Sequence, residues 1–185
     1  MQASAGRPAN QTQAQADRGF SLIELLIVVA IILIIAAIAV PSLLRSRMDA
    51  NQASAVANLR TVSTAAVSYW VTYSNGYPPT LGALGGTGPG ATCDQAVLID
   101  EVIAAAPSQK SGYQFTYTGD QGNVANPPPG CTPGFNGYLA TASPIVVGLT
   151  GDISYCNNEP GVIHYDTTGA VAASAATCNL LPVIQ

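Results

Sequence analysis

Charge is scarce in this chain. Only 9% of its 185 residues are Asp, Glu, Lys or Arg, while 48% are apolar. An ordinary soluble domain carries about 25% charged residues. That deficit excludes charge-driven disorder and a long charged coiled coil. Cations are the rarer sign: six Lys and Arg face ten Asp and Glu. Up to Arg60 the balance is positive, beyond it strongly negative, and Lys110 is the sole cation after Arg60. A nucleic-acid-binding face normally shows a basic footprint, so no direct nucleic-acid contact is expected.

Histidine occurs once, as His164, and no Cys-x-x-Cys pair exists. A zinc site would lack its usual ligand spacing. The glycines of Gly86-Thr87-Gly88-Pro89-Gly90 are not followed by Lys and Ser or Thr, and no strand pattern precedes them. This is a loop and no phosphate cradle. His164 and Asp166 could share a strand face, but a lone His in an apolar strand is more often a packing residue, so no catalytic residue is assigned and no enzyme is expected. Aromatics make up 6% of the chain and none lies between Phe20 and Tyr69. Conduction along stacked rings finds little support there. No cofactor is expected.

What is abundant is concentrated. From Leu25 to Val40 sixteen residues pass without a polar side chain, and Phe20 to Glu24 extend the run to twenty-one. A helix of that length is roughly 32 Å long, enough to cross a bilayer core. Met1–Gly19 is polar, and Arg18 sits immediately before the run. The positive-inside bias then keeps the amino terminus cytoplasmic and exports everything after Val40.

Three readings of this terminus compete. It could be a secretory signal, cleaved at the small-x-small site Ala37-Ile38-Ala39. It could be a plain signal anchor, for which the residues around Phe20 are immaterial. The third reading gives those residues a role. A carboxylate on the edge of a lipid-spanning helix costs a few kcal/mol unless it is paired or snorkels to the interface, and Glu24 is such a carboxylate.

The string Arg18-Gly19-Phe20-Ser21-Leu22-Ile23-Glu24, followed by the apolar run, resembles the cleavage and assembly signature of type IV prepilins and the related pseudopilins. The resemblance implies that a membrane peptidase cuts after Gly19 and that Phe20 becomes an N-methylated terminus. Residues 1–19 are then a cytoplasmic leader and residues 20–40 a transmembrane segment that becomes the filament core. It also implies that the Phe20 α-amine pairs with Glu24 of a neighbouring subunit. The partners so implied are a peptidase and methyltransferase, inner-membrane assembly machinery, lipid before assembly, and a helical filament of like subunits. Inner-membrane storage and a surface filament follow as expected locations.

Pro41 removes one helix donor and predicts a kink. Beyond it Leu44, Met48, Ala55, Leu59, Val62, Ala66, Tyr69 and Tyr73 recur at helical spacing, an amphipathic second half over residues 41–75. Asn75-Gly76 followed by Tyr77-Pro78-Pro79 stops it. The family has such a long helix, with a proline at this place. Asn75-Gly76-Tyr77-Pro78-Pro79-Thr80-Leu81 also resembles the Gly-x-Pro and Leu-rich turn that often follows it there.

Residues 76–185 read as a globular head. Thr92 and Gln95 predict a capping box and a short helix over Asp94–Ala106. Short strands are expected at Tyr113–Tyr117, Tyr138–Thr141, Ile145–Leu149, Val162–Tyr165 and Ala170–Ala173, the last two forming a hairpin around Asp166–Gly169. The expected class is α+β, pilin-like: a long helix packed on a small antiparallel sheet.

Four cysteines, Cys93, Cys131, Cys156 and Cys178, lie on the expected exported side, which favours two disulfides. Three pairings exist; Cys93 with Cys131 and Cys156 with Cys178 is preferred because the second would clasp the expected hairpin. The major pseudopilins carry a calcium loop with grouped Asp residues and a Trp-Gly turn. Here Asp152, Glu159 and Asp166 are scattered and the only tryptophan is Trp70. That departure favours a pilin over a pseudopilin, with an exported or anchored binding domain as the remaining alternative.

Overall fold

A run of straight-chain and branched apolar residues followed by an Ala-rich amphipathic stretch has no helix breaker except one proline. It forms a single helix, α1, over Leu22–Tyr73, with Pro41 inside it. The computed structural model describes residues 19–88 and 90–184. Of the expected leader, only Gly19 falls within them. Two compact units divide at Pro41, Met1–Pro41 and Ser42–Gln185. Proline leaves the Ala37 carbonyl without its usual donor, yet the helix continues.

The second unit follows α1 with α2 (Leu81–Leu84), α3 (Glu101–Ala104), β1 (Gln109–Lys110), β2 (Tyr113–Asn123), β3 (Phe135–Pro144), β4 (Ser154–Glu159), β5 (Val162–Asp166) and α4 (Ala175–Cys178). The five strands form one sheet in sequence order, each pair antiparallel. The arrangement is α+β and pilin-like. Its core joins Ala55, Leu59, Val62, Ala66 and Tyr69 of α1 to Tyr113, Phe115, Tyr138, Ala140, Ala142, Tyr155 and Ile163 of the sheet. Small alanines lie on both the helix and the sheet side of this core, and buried tyrosines fill much of the space between them. Leu44, expected on the same stripe, is exposed, and Met48 is only half-buried: core contact begins at Ala55.

The hydroxyls of Tyr69, Tyr113 and Tyr138 inside this core have partners, whereas the buried Tyr117 hydroxyl has none among the described residues. Tyr138 Oη donates to Asn157 Oδ1 at 2.6 Å and lies 3.1 Å from Ser63 Oγ, linking helix, β3 and β4. The end of α1 is fastened too. Asn75 is buried; its Nδ2 donates to Tyr69 Oη and the Thr132 carbonyl, and its Oδ1 accepts from the Gly134 amide. Gly134 approaches so closely that a Cβ there would stand 2.1 Å from the Asn75 carbonyl oxygen, which only glycine avoids. Tyr77 and Phe135 exchange backbone hydrogen bonds across the same seam.

Several expectations are corrected. The helix expected over Asp94–Ala106 shrinks to α3, capped by Asp100, whose Oδ1 accepts from the Val102 amide. Thr92 and Gln95 instead close a small bridge on each other, and the amides of Ala96 and Leu98 bond to carbonyls of α2. Tertiary carbonyls thus outcompete the local helix. Ile145–Leu149 is no strand but a tight exposed loop, because no neighbouring strand meets it. Ala170–Ala173 is irregular, and Asp166–Gly169 is not a hairpin turn: the Asp166 carboxylate accepts from the Thr168 amide and hydroxyl. The hairpin lies one strand earlier, between β4 and β5 around Gly161, whose φ is +81°. Beyond α4 the chain returns along β5. The Tyr165 amide bonds to the Pro182 carbonyl and the Ile184 amide to the Ile163 carbonyl, covering that sheet edge.

Two expectations concern stability. Burial first of all holds the phenols of Tyr69, Tyr113, Tyr117 and Tyr155 above their ordinary ionisation range, so the folded chain favours their neutral form. Their contribution is intact below the unfolded value of about 10 and is lost as pH rises beyond it. Near-UV circular dichroism of the detergent-solubilised chain should therefore decline above about pH 10, with no loss from this source at neutral pH. Second, Cys156 and Cys178 are bonded across a separation of 22 residues. Replacing both by serine should cost about 3 kcal/mol, read as a lower urea midpoint.

Candidate functional site

The apolar helical segment and its polar boundary form the candidate site. Phe20 is 77% exposed, and Gly19 is exposed as well. The Ser21 carbonyl accepts from the Glu24 and Leu25 amides, at 3.1 and 3.2 Å, and this opens α1. Glu24 lies in the first helical turn, where free amides favour a carboxylate. Among the described residues it forms no ion pair. A Cβ built at Gly19 would meet nothing within 4 Å. The fold's own packing therefore sets no demand for glycine there.

The same holds for the apolar surface beyond. Fifteen large apolar side chains from Phe20 to Val40 are exposed. Burying each even halfway is worth about 1 kcal/mol, so on the order of 15 kcal/mol of hydrophobic stabilisation is left unrealised by the chain alone. The helix is long and apolar enough to cross a membrane, and this fits membrane anchoring.

The remaining sequence-derived residues lie elsewhere. Pro41 ends the first unit. Cys93 and Cys131 are joined at an S–S distance of 2.08 Å, and the Cys93 carbonyl also accepts from Tyr69 Oη at 2.7 Å. Cys156 and Cys178 join β4 to α4 in a second small cluster with Leu139. The clasp at 156–178 thus encloses the β4–β5 hairpin, not the one expected at Asp166–Gly169. His164 is buried, with Nδ1 2.7 Å from the Leu181 carbonyl oxygen, in a packing position. Among the described residues no three His, Cys, Asp or Glu side chains gather where they could hold a metal ion. Asn75 was legible only as a helix stop; its role as a brace depends on Thr132 and Gly134, which no local pattern links to it.

A long helix with an apolar, carboxylate-bearing edge that packs further along against an antiparallel sheet matches an α+β pilin-like fold. Residues 15–40 match the family model described as the prokaryotic N-terminal methylation motif. The chain is also similar to the type IV major pilin protein PilA of Myxococcus xanthus (strain DK1622), with 48% identity over 54 residues. That match covers 29% of this chain and 24% of the relative, so the chain spans about a quarter of that protein's length. No solved structure matches. The sequence likeness to a type IV pilin thus covers under a third of the chain, and the methylation motif lies at residues 15–40.

Proposed function

We propose that this chain is the precursor of a type IV pilin, a structural subunit whose work is polymerisation. One observation carries the reading: the methylation-motif match covers an exposed apolar helix whose first turn holds Glu24, in no ion pair among the described residues. Such a surface needs lipid first and protein afterwards. A leader over residues 1–19 is removed after Gly19, and the new Phe20 amine is methylated. Open space around Gly19 supports this, because a residue that the fold does not need is one that a processing enzyme can require.

Residues 20–40 then hold the subunit in the inner membrane, residues 41–75 carry it into the head, and residues 76–185 form that head. On assembly the apolar segment exchanges lipid for sister subunits. Glu24 pairs with a neighbouring Phe20 amine, which offsets the few kcal/mol that an unpaired carboxylate costs there. A surface filament serving adhesion, motility or DNA uptake is the resulting class of function. The acidic head, with Lys110 its only Lys or Arg beyond Arg60, counts against direct contact with DNA.

Mass spectrometry of the mature amino terminus tests the reading. Methylated Phe20 is expected; a terminus at Val40 or an intact Met1 overturns it in favour of a secreted or anchored domain. Gly19→Val should leave the uncleaved precursor in the membrane fraction. Glu24→Val should be cleaved and methylated yet absent from sheared filaments, and filaments of normal yield from that variant would remove the pairing from the account.

A further inference from the structure

The head carries two exposed features that its own packing leaves unused. The first is the loop after β3. Ile145, Val146, Val147 and Leu149 are 45% to 59% exposed, an unusual density of apolar side chains on a surface turn. The loop is braced. The Thr150 amide and hydroxyl both bond to the Val146 carbonyl, the Val146 amide bonds to Thr150 Oγ1, the Gly148 amide bonds to the Gly151 carbonyl, and Asn51 Nδ2 of α1 holds the Thr150 carbonyl at 3.0 Å. Little ordering entropy remains to be lost on docking. Asp152, just beyond, is exposed and in no ion pair among the described residues.

The second is a groove of about 320 Å³ between α1 and Leu98, lined by Arg60, Thr61, Thr64, Ala65 and Ser68. The Thr61 and Thr64 hydroxyls donate to the carbonyls of Ala57 and Arg60, at 3.1 and 2.9 Å. Spent on the helix, they leave a wall that is largely methyl. Arg60 supplies the one charge in this lining and forms no ion pair among the described residues. The groove is apolar with one cation, and the loop is apolar with one anion.

We infer that the groove around Arg60 receives the Ile145–Asp152 loop of a second copy of this chain, with Arg60 facing Asp152. This rests on the polymerisation reading above and names a contact within it. The two features cannot meet in one molecule. The loop is fastened at Asn51, and the groove centres on Thr64, thirteen residues or roughly 20 Å further along the helix. Copies that point the same way, as neighbours in one membrane do, can join loop to groove only with an axial shift of that order. A contact made by rotation plus axial shift is heterologous and open-ended, the geometry of a filament.

Full-length Arg60→Glu, Asp152→Arg and the double swap, expressed with the assembly machinery, test the contact. Each single change should lower the sheared filament fraction at least roughly tenfold at an unchanged membrane pool, and the double swap should restore most of it. Non-reducing gels showing intact disulfides verify that the head has folded. If a reversal lowers the pool, Arg60→Gln, Asp152→Asn and Leu98→Ser are the milder set, again expected to reduce filaments. Normal filament yield from the single variants overturns the inference and leaves the polymerisation reading standing. Absence of filaments from the unmodified chain is the failure of that reading instead. Loss from the membrane fraction with Val147→Ser, together with no restoration by the double swap, overturns the inference in favour of a lipid contact of the loop.

Discussion

Fifteen large apolar side chains on one helical segment stand exposed among the described residues, and this is the constraint from which the remaining features follow. Water cannot be their stable surrounding at that density, since the unrealised stabilisation exceeds the net stability of many whole domains. A membrane or a bundle of like helices can satisfy them. Because the backbone of a helix satisfies its own polar groups, either surrounding accepts it without a change of fold. A carboxylate in the first turn of such a helix is costly in lipid unless it is paired or reaches the interface.

The second unit solves a different problem. The same helix covers one face of its sheet from Ala55 to Tyr69, and α4 with Cys178 covers Leu139 and Cys156 in a second, smaller cluster. The Ser63, Tyr138 and Asn157 hydroxyl and amide groups fix helix, β3 and β4 to one another inside the core. Asn75, the Tyr77–Phe135 seam and the Cys93–Cys131 bond fasten the segment after the helix to the approach to β3. The Cys156–Cys178 bond and the return of the chain along β5 hold the carboxyl-terminal part. With few charges available, this head relies on covalent and polar cross-braces in place of surface ion pairs, of which Lys110 with Asp100 is the one formed among the described residues.

Legibility in the sequence tracked how local each cause is. The apolar run and the 3.6-residue spacing from Ala55 to Tyr69 depend only on neighbours along the helix, and the helix is where they place it. Tyr113–Tyr117 and Val162–Tyr165 were readable because alternation or β-branched content marks a strand even without its partner. Ser154–Glu159 was not, because its sequence, SYCNNE, is polar apart from Tyr155 and Cys156 and becomes a strand by pairing with β3 and β5. Ile145–Leu149 failed in the opposite sense: its residues favour a strand, yet no ladder is available to it.

Covalent order along the chain was enough to establish an apolar helix with one edge carboxylate, a glycine and phenylalanine ahead of it, and an acidic, cysteine-bearing remainder. These are properties of consecutive residues, and solvent alone makes them consequential. Tertiary contact decided which residues between Asp94 and Ala106 stay helical, where the hairpin turns, and that Asn75 braces a seam. It also decided that Arg60 opens on a methyl-lined groove, while the apolar loop after β3 stands fastened to Asn51, roughly 20 Å away along the helix. Such outcomes depend on competition among distant donors, acceptors and apolar faces, whose separation is set only when the sheet closes on the helix.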